Sequence, residues 1–255
     1  MKNIFAIAQK EVKTYFISPI AYVVLTIFFV IYGFLTFNIL SYFNLQCLQF
    51  RQYGQALSEL NINQYVLEPS LHNMGFIFLL IAPFLTMRLF AEESKGKTME
   101  LLLTSPLYLF EIILGKFLAV IFFLIILIVI TSYFPLILFI VGNPEITPLF
   151  SAYLGIFLMG SAFLSIGIFA SSLTENQIIA AVVTFGILLF FWMVGWSSHI
   201  VDEPWGTILK YLSFIDHNEN SISGLIDIRD IVYYISITIF GLFMTHRVLE
   251  SRRWR

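Results

Sequence analysis

Residues 117–144 read FLAVIFFLIILIVITSYFPLILFIVGNP, without one charged side chain. A helix needs about 20 apolar residues to cross a bilayer. The run is continuously apolar rather than alternating, so it suits a spanning helix and not a barrel strand. Similar charge-free runs lie on both sides of it, at residues 14–50, 69–87, 146–174 and 176–201. A sixth stretch, residues 231–249, is nearly as apolar and carries one arginine, Arg247, close enough to its end to snorkel to the interface. In lipid a helix satisfies its own backbone. The sequence therefore predicts an all-α polytopic membrane protein with six transmembrane helices, near residues 20–43, 74–89, 117–141, 150–171, 178–198 and 231–249.

Composition agrees. Charged residues make up 12% of the chain and hydrophobic ones 59%, against about 25% charged in a soluble domain. The net charge of −2 leaves no basic footprint for nucleic acid. Cys47 is the single cysteine, which excludes an internal disulfide and a cysteine metal cluster. The first apolar run is too long for a signal-peptide core and reads as a retained span.

Six spans put both termini on one side. Lys2, Lys10, Lys13, Arg88, Lys95, Lys97, Lys116, Arg247, Arg252, Arg253 and Arg255 fall on that side, against Arg51, Lys210 and Arg229 on the other. The positive-inside rule makes the first side cytoplasmic. The outer loops, near 44–73 and 199–230 with a tight third near 142–148, are richer in acids than bases. They include Glu59, Glu68, Glu145, Asp202, Glu203, Asp216, Glu219, Asp227 and Asp230. This reads as a solvated surface, with a cation or partner site as the rival reading.

Outside the spans, residues 1–17 have helical spacing, with Phe5, Ala8, Val12 and Phe16 on one face and Lys2, Gln9 and Lys13 away from it. This predicts an amphipathic helix in the interface. Between the second and third spans the chain runs from Glu92-Glu93 through Lys95, Gly96, Lys97, Thr98, Glu100, Leu101, Leu102 and Leu103 to Ser105-Pro106. Gly96 can end one helix and Thr98 can cap a short one over 99–103. Ser105-Pro106 can start the next. The result is a short helix on the cytoplasmic surface with an apolar knob, a good docking element for a groove. Thr174 and Gln177 have capping-box spacing ahead of the fifth span. The fourth span carries Gly160, Ser161, Ser165, Gly167 and Ser171, of which Ser161–Ser165 and Gly167–Ser171 are small-xxx-small pairs that allow close helix packing, with a polar substrate path as the rival reading.

Several chemistries find no support. Gly96-Lys97-Thr98 imitates the end of a phosphate loop, but Ala91 stands where its first glycine belongs and a membrane span precedes it. There is no HExxH and no GxSxG. Asp216-His217-Asn218-Glu219 has metal-friendly side chains without a ligand spacing. The predicted spans hold no carboxylate, which speaks against an acidic proton relay and an intramembrane aspartyl protease.

These parts in this order resemble the membrane subunit of an ABC exporter of the ABC-2 type. The loop carries the likeness, in Glu92-Glu93, Gly96 and Thr98 with Lys97 inserted between them, Glu100-Leu101-Leu102, Pro106 and Gly115-Lys116. The resemblance covers nearly the whole chain and implies one transmembrane domain over residues 1–255. A narrower likeness to the gliding-motility-type permease subfamily rests on residues 216–220, 224–230 and 249–254. The resemblance implies a coupling helix contacting a cytoplasmic ABC ATPase present in two copies. Glu92, Glu93, Lys95 and Glu100 would make charged contacts and Leu101–Leu103 would form the apolar anchor. ATP and magnesium would belong to that ATPase, with no cofactor on this chain. It further implies a second permease copy or close homologue, location in a bacterial cytoplasmic (inner) membrane, and in some systems a membrane-anchored periplasmic auxiliary protein. The expected function is export driven by the ATPase. The alternatives are a non-transporting subunit that transmits ATPase motion to a periplasmic partner, and an intramembrane enzyme or ion-gradient carrier.

Overall fold

A computed structural model describes residues 2–53, 61–104, 106–141, 146–198 and 201–253. Outside them lie Ser105, Glu59, Glu145, His199, Arg255 and part of each outer loop. The described residues form helices and no strand. In order they are α1 (Lys2–Ile17), α2 (Pro19–Gln52), α3 (Glu68–Thr86), α4 (Arg88–Lys95), α5 (Met99–Thr104), α6 (Leu109–Thr131), α7 (Tyr133–Val141), α8 (Ile146–Leu173), α9 (Gln177–Ser198), α10 (Trp205–Leu212), α11 (Phe214–Ile222) and α12 (Ile228–Arg253).

Six helical segments are long and apolar enough to cross a membrane: Pro19–Gln52, Asn63–Lys95, Leu109–Phe139, Ile146–Leu173, Gln177–Ser197 and Ile228–Arg253. The first two reach well beyond the expected 20–43 and 74–89. Hydropathy marks where lipid is touched, whereas capping and packing set where a helix ends. Glu68 and Pro69 are favourable first-turn residues, so the second helix starts before its apolar run does. Breaks within spans have local causes. Pro135, in the first turn of α7, has no N–H to return to Thr131, and the third span breaks at Ser132.

The centre of the bundle is α8, which packs against α3, α6, α9, α11 and α12. Its small residues permit this. At Gly167 a Cβ would lie 2.1 Å from the Thr86 hydroxyl of α3, and at Gly241 of α12 a Cβ would lie 2.7 Å from the Ser165 hydroxyl. The hydroxyls bond back to their own helices. Ser161 donates to Phe157 O (2.7 Å), Ser165 to Ala162 O (2.8 Å) and Thr86 to Ala82 O (2.8 Å). Gly167→Ala is expected to cost about 1–3 kcal/mol by overpacking against Thr86, read as a lower thermal midpoint of the purified protein. An unchanged midpoint would mean the two helices are not in contact there.

One expectation about a helix start is corrected. The fifth span is capped by Asn176, whose Oδ1 accepts from Ile178 N–H (2.9 Å), and Thr174 instead accepts from Asn176 N–H (3.1 Å). Asn176 sits one residue ahead of the helix and so holds the better capping position. Among the described residues of the outer segment, Asp202, Glu203 and Glu219 are exposed, as a solvated surface requires, but Phe214 is fully buried, and Asp216, His217, Asn218 and Asp230 are buried too. Ser213 caps α11 by accepting from Asp216 N–H (3.2 Å). The two motifs of that segment meet: His217 Nδ1 lies 2.6 Å from Asp230 Oδ1, and Asn220 donates to Asp230 Oδ2 (3.2 Å). The His217 Nε2 faces Tyr211 O at 3.0 Å, and Tyr233 stacks on its ring at 3.9 Å. His217, Asn220 and Asp230 thus form a clamp that fastens α11 to α12.

Candidate functional site

The site begins with α4, an eight-residue helix whose Arg88, Leu89, Phe90, Ala91 and Ser94 are buried. Its first amides lie inside the protein and need acceptors. Ser171 of α8 supplies one, accepting from Phe90 N–H (3.1 Å) and Ala91 N–H (3.2 Å) while donating to Met87 O (2.9 Å). At the other end of α4, Arg252 of α12 donates to the Ser94 hydroxyl (2.9 Å).

The exit from α4 explains Lys97. Thr98 N–H bonds Glu93 O (3.0 Å) and Lys97 N–H bonds Ser94 O (3.2 Å), a Schellman ending. Gly96 keeps right-handed geometry, and Lys97 takes the left-handed position at φ 54°. A non-glycine residue there costs roughly 1 kcal/mol. The sequence reading gave the turn to Gly96; the inserted lysine has taken it over. The Thr98 hydroxyl donates back to Glu93 O (3.3 Å), so it ties α5 to α4.

α5 then presents two unlike faces. Met99 is 5% exposed and Leu102 is half-buried against the core, whereas Leu101 is 72% exposed. Glu92, Lys95, Gly96, Glu100 and Thr104 are exposed around it, and the Leu103 side chain lies outside the described ones. Lys95 lines a cleft with Glu175, Asn176, Gln177 and Ile178. Pro106 is exposed but does not begin a helix. α6 starts at Leu109, where the Glu111 carboxylate accepts from Tyr108 N–H (3.3 Å), three residues later than the sequence suggested.

Glu93 faces the other way. Lys116 of α6 is 1% exposed, and its Nζ lies 2.8 Å from Glu93, 2.9 Å from Glu11 of α1 and 2.7 Å from Leu89 O. An ammonium has three donors, and here each has an acceptor. The Phe90 ring lies 5.1 Å away. The neighbouring Gly115 lets α1 close in, since a Cβ there would sit 2.7 Å from Ile7 Cβ. Sequence reasoning placed Lys116 with the solvated cytoplasmic lysines. The available signal was Glu11, an acid in register with Ile4, Ile7, Ala8 and Tyr15 on one helix face.

Most of the expected face is buried: Ala8, Val12 and Phe16 are half-buried and Lys2, Gln9 and Lys13 are exposed, with Ile4, Ile7, Glu11 and Tyr15 joining the inner face and Phe5 left 69% exposed. The Lys116 ion pair holds this face against α6. Tyr15 adds to it by donating to Leu85 O, with Arg88 4.2 Å over its ring. Burial pushes the Tyr15 hydroxyl well above the usual phenol range, against the smaller opposing pull of Arg88, so it stays a donor. Through these contacts one short helix, α4, is fixed to α1, α6, α8 and α12, and α5 with its exposed Leu101 grows directly from it.

The sequence that folds into these six spans matches the family described as ABC-2 family transporter protein, over residues 5–244. The chain belongs to the ABC-2 transporter family. It is accordingly a multi-pass membrane protein and the permease subunit of an ABC transporter, a component that is not itself catalytic. Permeases of this family generally work with a cytoplasmic ABC ATPase. The match is made at the level of the family and does not reach the gliding-motility-type subfamily. No curated protein matches this ABC-2 permease.

Proposed function

We propose that this permease couples ATP hydrolysis on a partner ATPase to export across a bacterial cytoplasmic membrane, with both termini on the ATPase side. In this reading the whole chain is one transmembrane domain. Two ATPase copies, holding ATP and magnesium, work with this chain and a second copy or close homologue, and a periplasmic auxiliary protein can join them.

The observation that carries the reading is Leu101, an exposed apolar knob on a short helix whose other face is anchored by Met99 and Leu102. Such a knob suits an apolar groove on another protein. Leu101 would seat in that groove, with Glu92, Lys95, Gly96, Thr98, Glu100 and Pro106 around its rim. Leu103 completes the apolar segment. Glu93 acts inside the protein, holding α4 to Lys116. When the ATPase dimer closes, α5 moves with its groove. Because α4 is bonded to four other helices, the displacement passes to α6, α8 and α12 together and not to a loose loop.

The test is a mild-detergent pull-down of the tagged chain with mass spectrometry. A P-loop ATPase in stoichiometric amount is the expected companion. Recovery of the chain alone across several detergents would overturn the reading.

A further inference from the structure

At the end of the bundle opposite the coupling helix, α3, α9 and α11 enclose a cavity of about 390 Å³. Its lining includes Gln64, Glu68, His72, Trp192, Asn218 and Glu219. We propose that this cavity is a binding site for an organic primary ammonium ion.

Charge argues first. Glu68 and Glu219 both line the cavity, and neither has an ion-pair partner among the described residues. The basic residues assigned to this end, Arg51, Lys210 and Arg229, do not line it. Glu68 is half-buried and Glu219 exposed, and two carboxylates with no cationic partner among the described residues attract a cation from solution.

The wall argues second. Trp192 is 4% exposed and held between His72, at 5.9 Å, and Phe76, at 5.8 Å. A fixed indole bordering carboxylates is a favourable cation–π surface.

Size and spacing choose the kind of cation. Among the described residues no three of His, Cys, Asp and Glu converge closely enough to hold a metal ion. The carboxylates are spread around a space many times larger than an ion, and the volume is typical of small-molecule sites. An ammonium carrying an apolar or aromatic body fits both the spread charge and the indole wall. Binding here needs neither the ATPase nor the coupling helix, so it stands or falls apart from the export reading.

The experiment is equilibrium dialysis of benzylammonium against the purified full chain, with benzyl alcohol as the neutral isostere. Saturable binding of the ammonium is expected, about tenfold or more tighter than the alcohol. The Glu68→Gln/Glu219→Gln variant should lose about tenfold or more in affinity for the ammonium while keeping its elution profile and thermal midpoint. Trp192→Phe keeps a ring on the wall and should weaken binding less. No saturable binding, equal binding of the alcohol, or an unchanged affinity in the double Gln variant would each overturn the site. Repeating the dialysis in nanodiscs separates the sources of ammonium. Weaker binding in phosphatidylethanolamine than in phosphatidylcholine, an equally zwitterionic lipid without N–H donors, identifies the lipid headgroup as a resident ligand. Equal binding identifies a free solute.

Discussion

Lys116→Met is expected to destabilise the protein by about 3–5 kcal/mol, the range for breaking a buried ion pair by removing one partner. The magnitude follows from what is left behind. Lys116 has a side chain 2% exposed, and its two carboxylates are mostly covered, at 13% for Glu11 and 17% for Glu93. Without the ammonium, two acids would share a site that excludes water, and Leu89 O would lose its donor. Methionine nearly fills the space, so the loss is one of charge balance and not of volume. The thermal midpoint should fall by roughly 10 °C. α1 should also loosen, because Glu11 is its charged tie to α6. Trypsin would then cut faster at the exposed Lys10 and Lys13. Adding Glu11→Gln and Glu93→Gln to Lys116→Met removes the uncompensated charge and should recover most of the stability, since neutral replacement of a whole buried ion network is often harmless. Wild-type stability in the single variant would mean that Lys116 reaches solvent and ties nothing together.

The same residue marks where sequence reading stops. The spans were legible because lipid contact imposes a charge-free length, and nothing else in a chain of this size demands that. The short helix after the second span was legible because Gly96, Thr98 and Pro106 punctuate it. Lys116 was not, because a lysine at the start of a span looks the same whether it meets water or two buried acids. The burial of Glu11 depends on that pairing, so the inner face of α1 reaches further round than its apolar spacing suggested, and Phe5 falls outside it. The outer helices α10 and α11 were lost for a related reason. Asp216, His217 and Asp230 are polar, and hydropathy assigns polar residues to solvent. Their burial depends on partners far apart in the chain, Asp230 meeting His217 and Phe214 meeting Phe163 and Phe191. The exposed Leu101 is the opposite case. Its apolar neighbours Met99 and Leu102 share its sequence character, and the fold decides which of the three remains outside.

That distinction yields the second large effect. Leu101→Asp is expected to leave folding intact and to weaken the ATPase complex about a thousandfold. Leu101 is 72% exposed in the isolated chain, so an aspartate there stays in water and the thermal midpoint should not move. In the complex the balance changes. A leucine buried in a groove contributes about 2 kcal/mol. An aspartate in its place must also shed its water without a partner, at a cost of at least about 2 kcal/mol more. Together these reach about 4 kcal/mol, or three decades in affinity. Leu102→Asp serves as the contrast. Its side chain packs against the core, so the charge should lower the midpoint of the permease itself before any partner is added. The measurement is co-purification of the ATPase with each variant, beside the midpoint of each variant alone. Undiminished ATPase with Leu101→Asp would remove α5 from the interface. Loss of the ATPase together with a lowered midpoint would show that Leu101 supports the fold and not the contact.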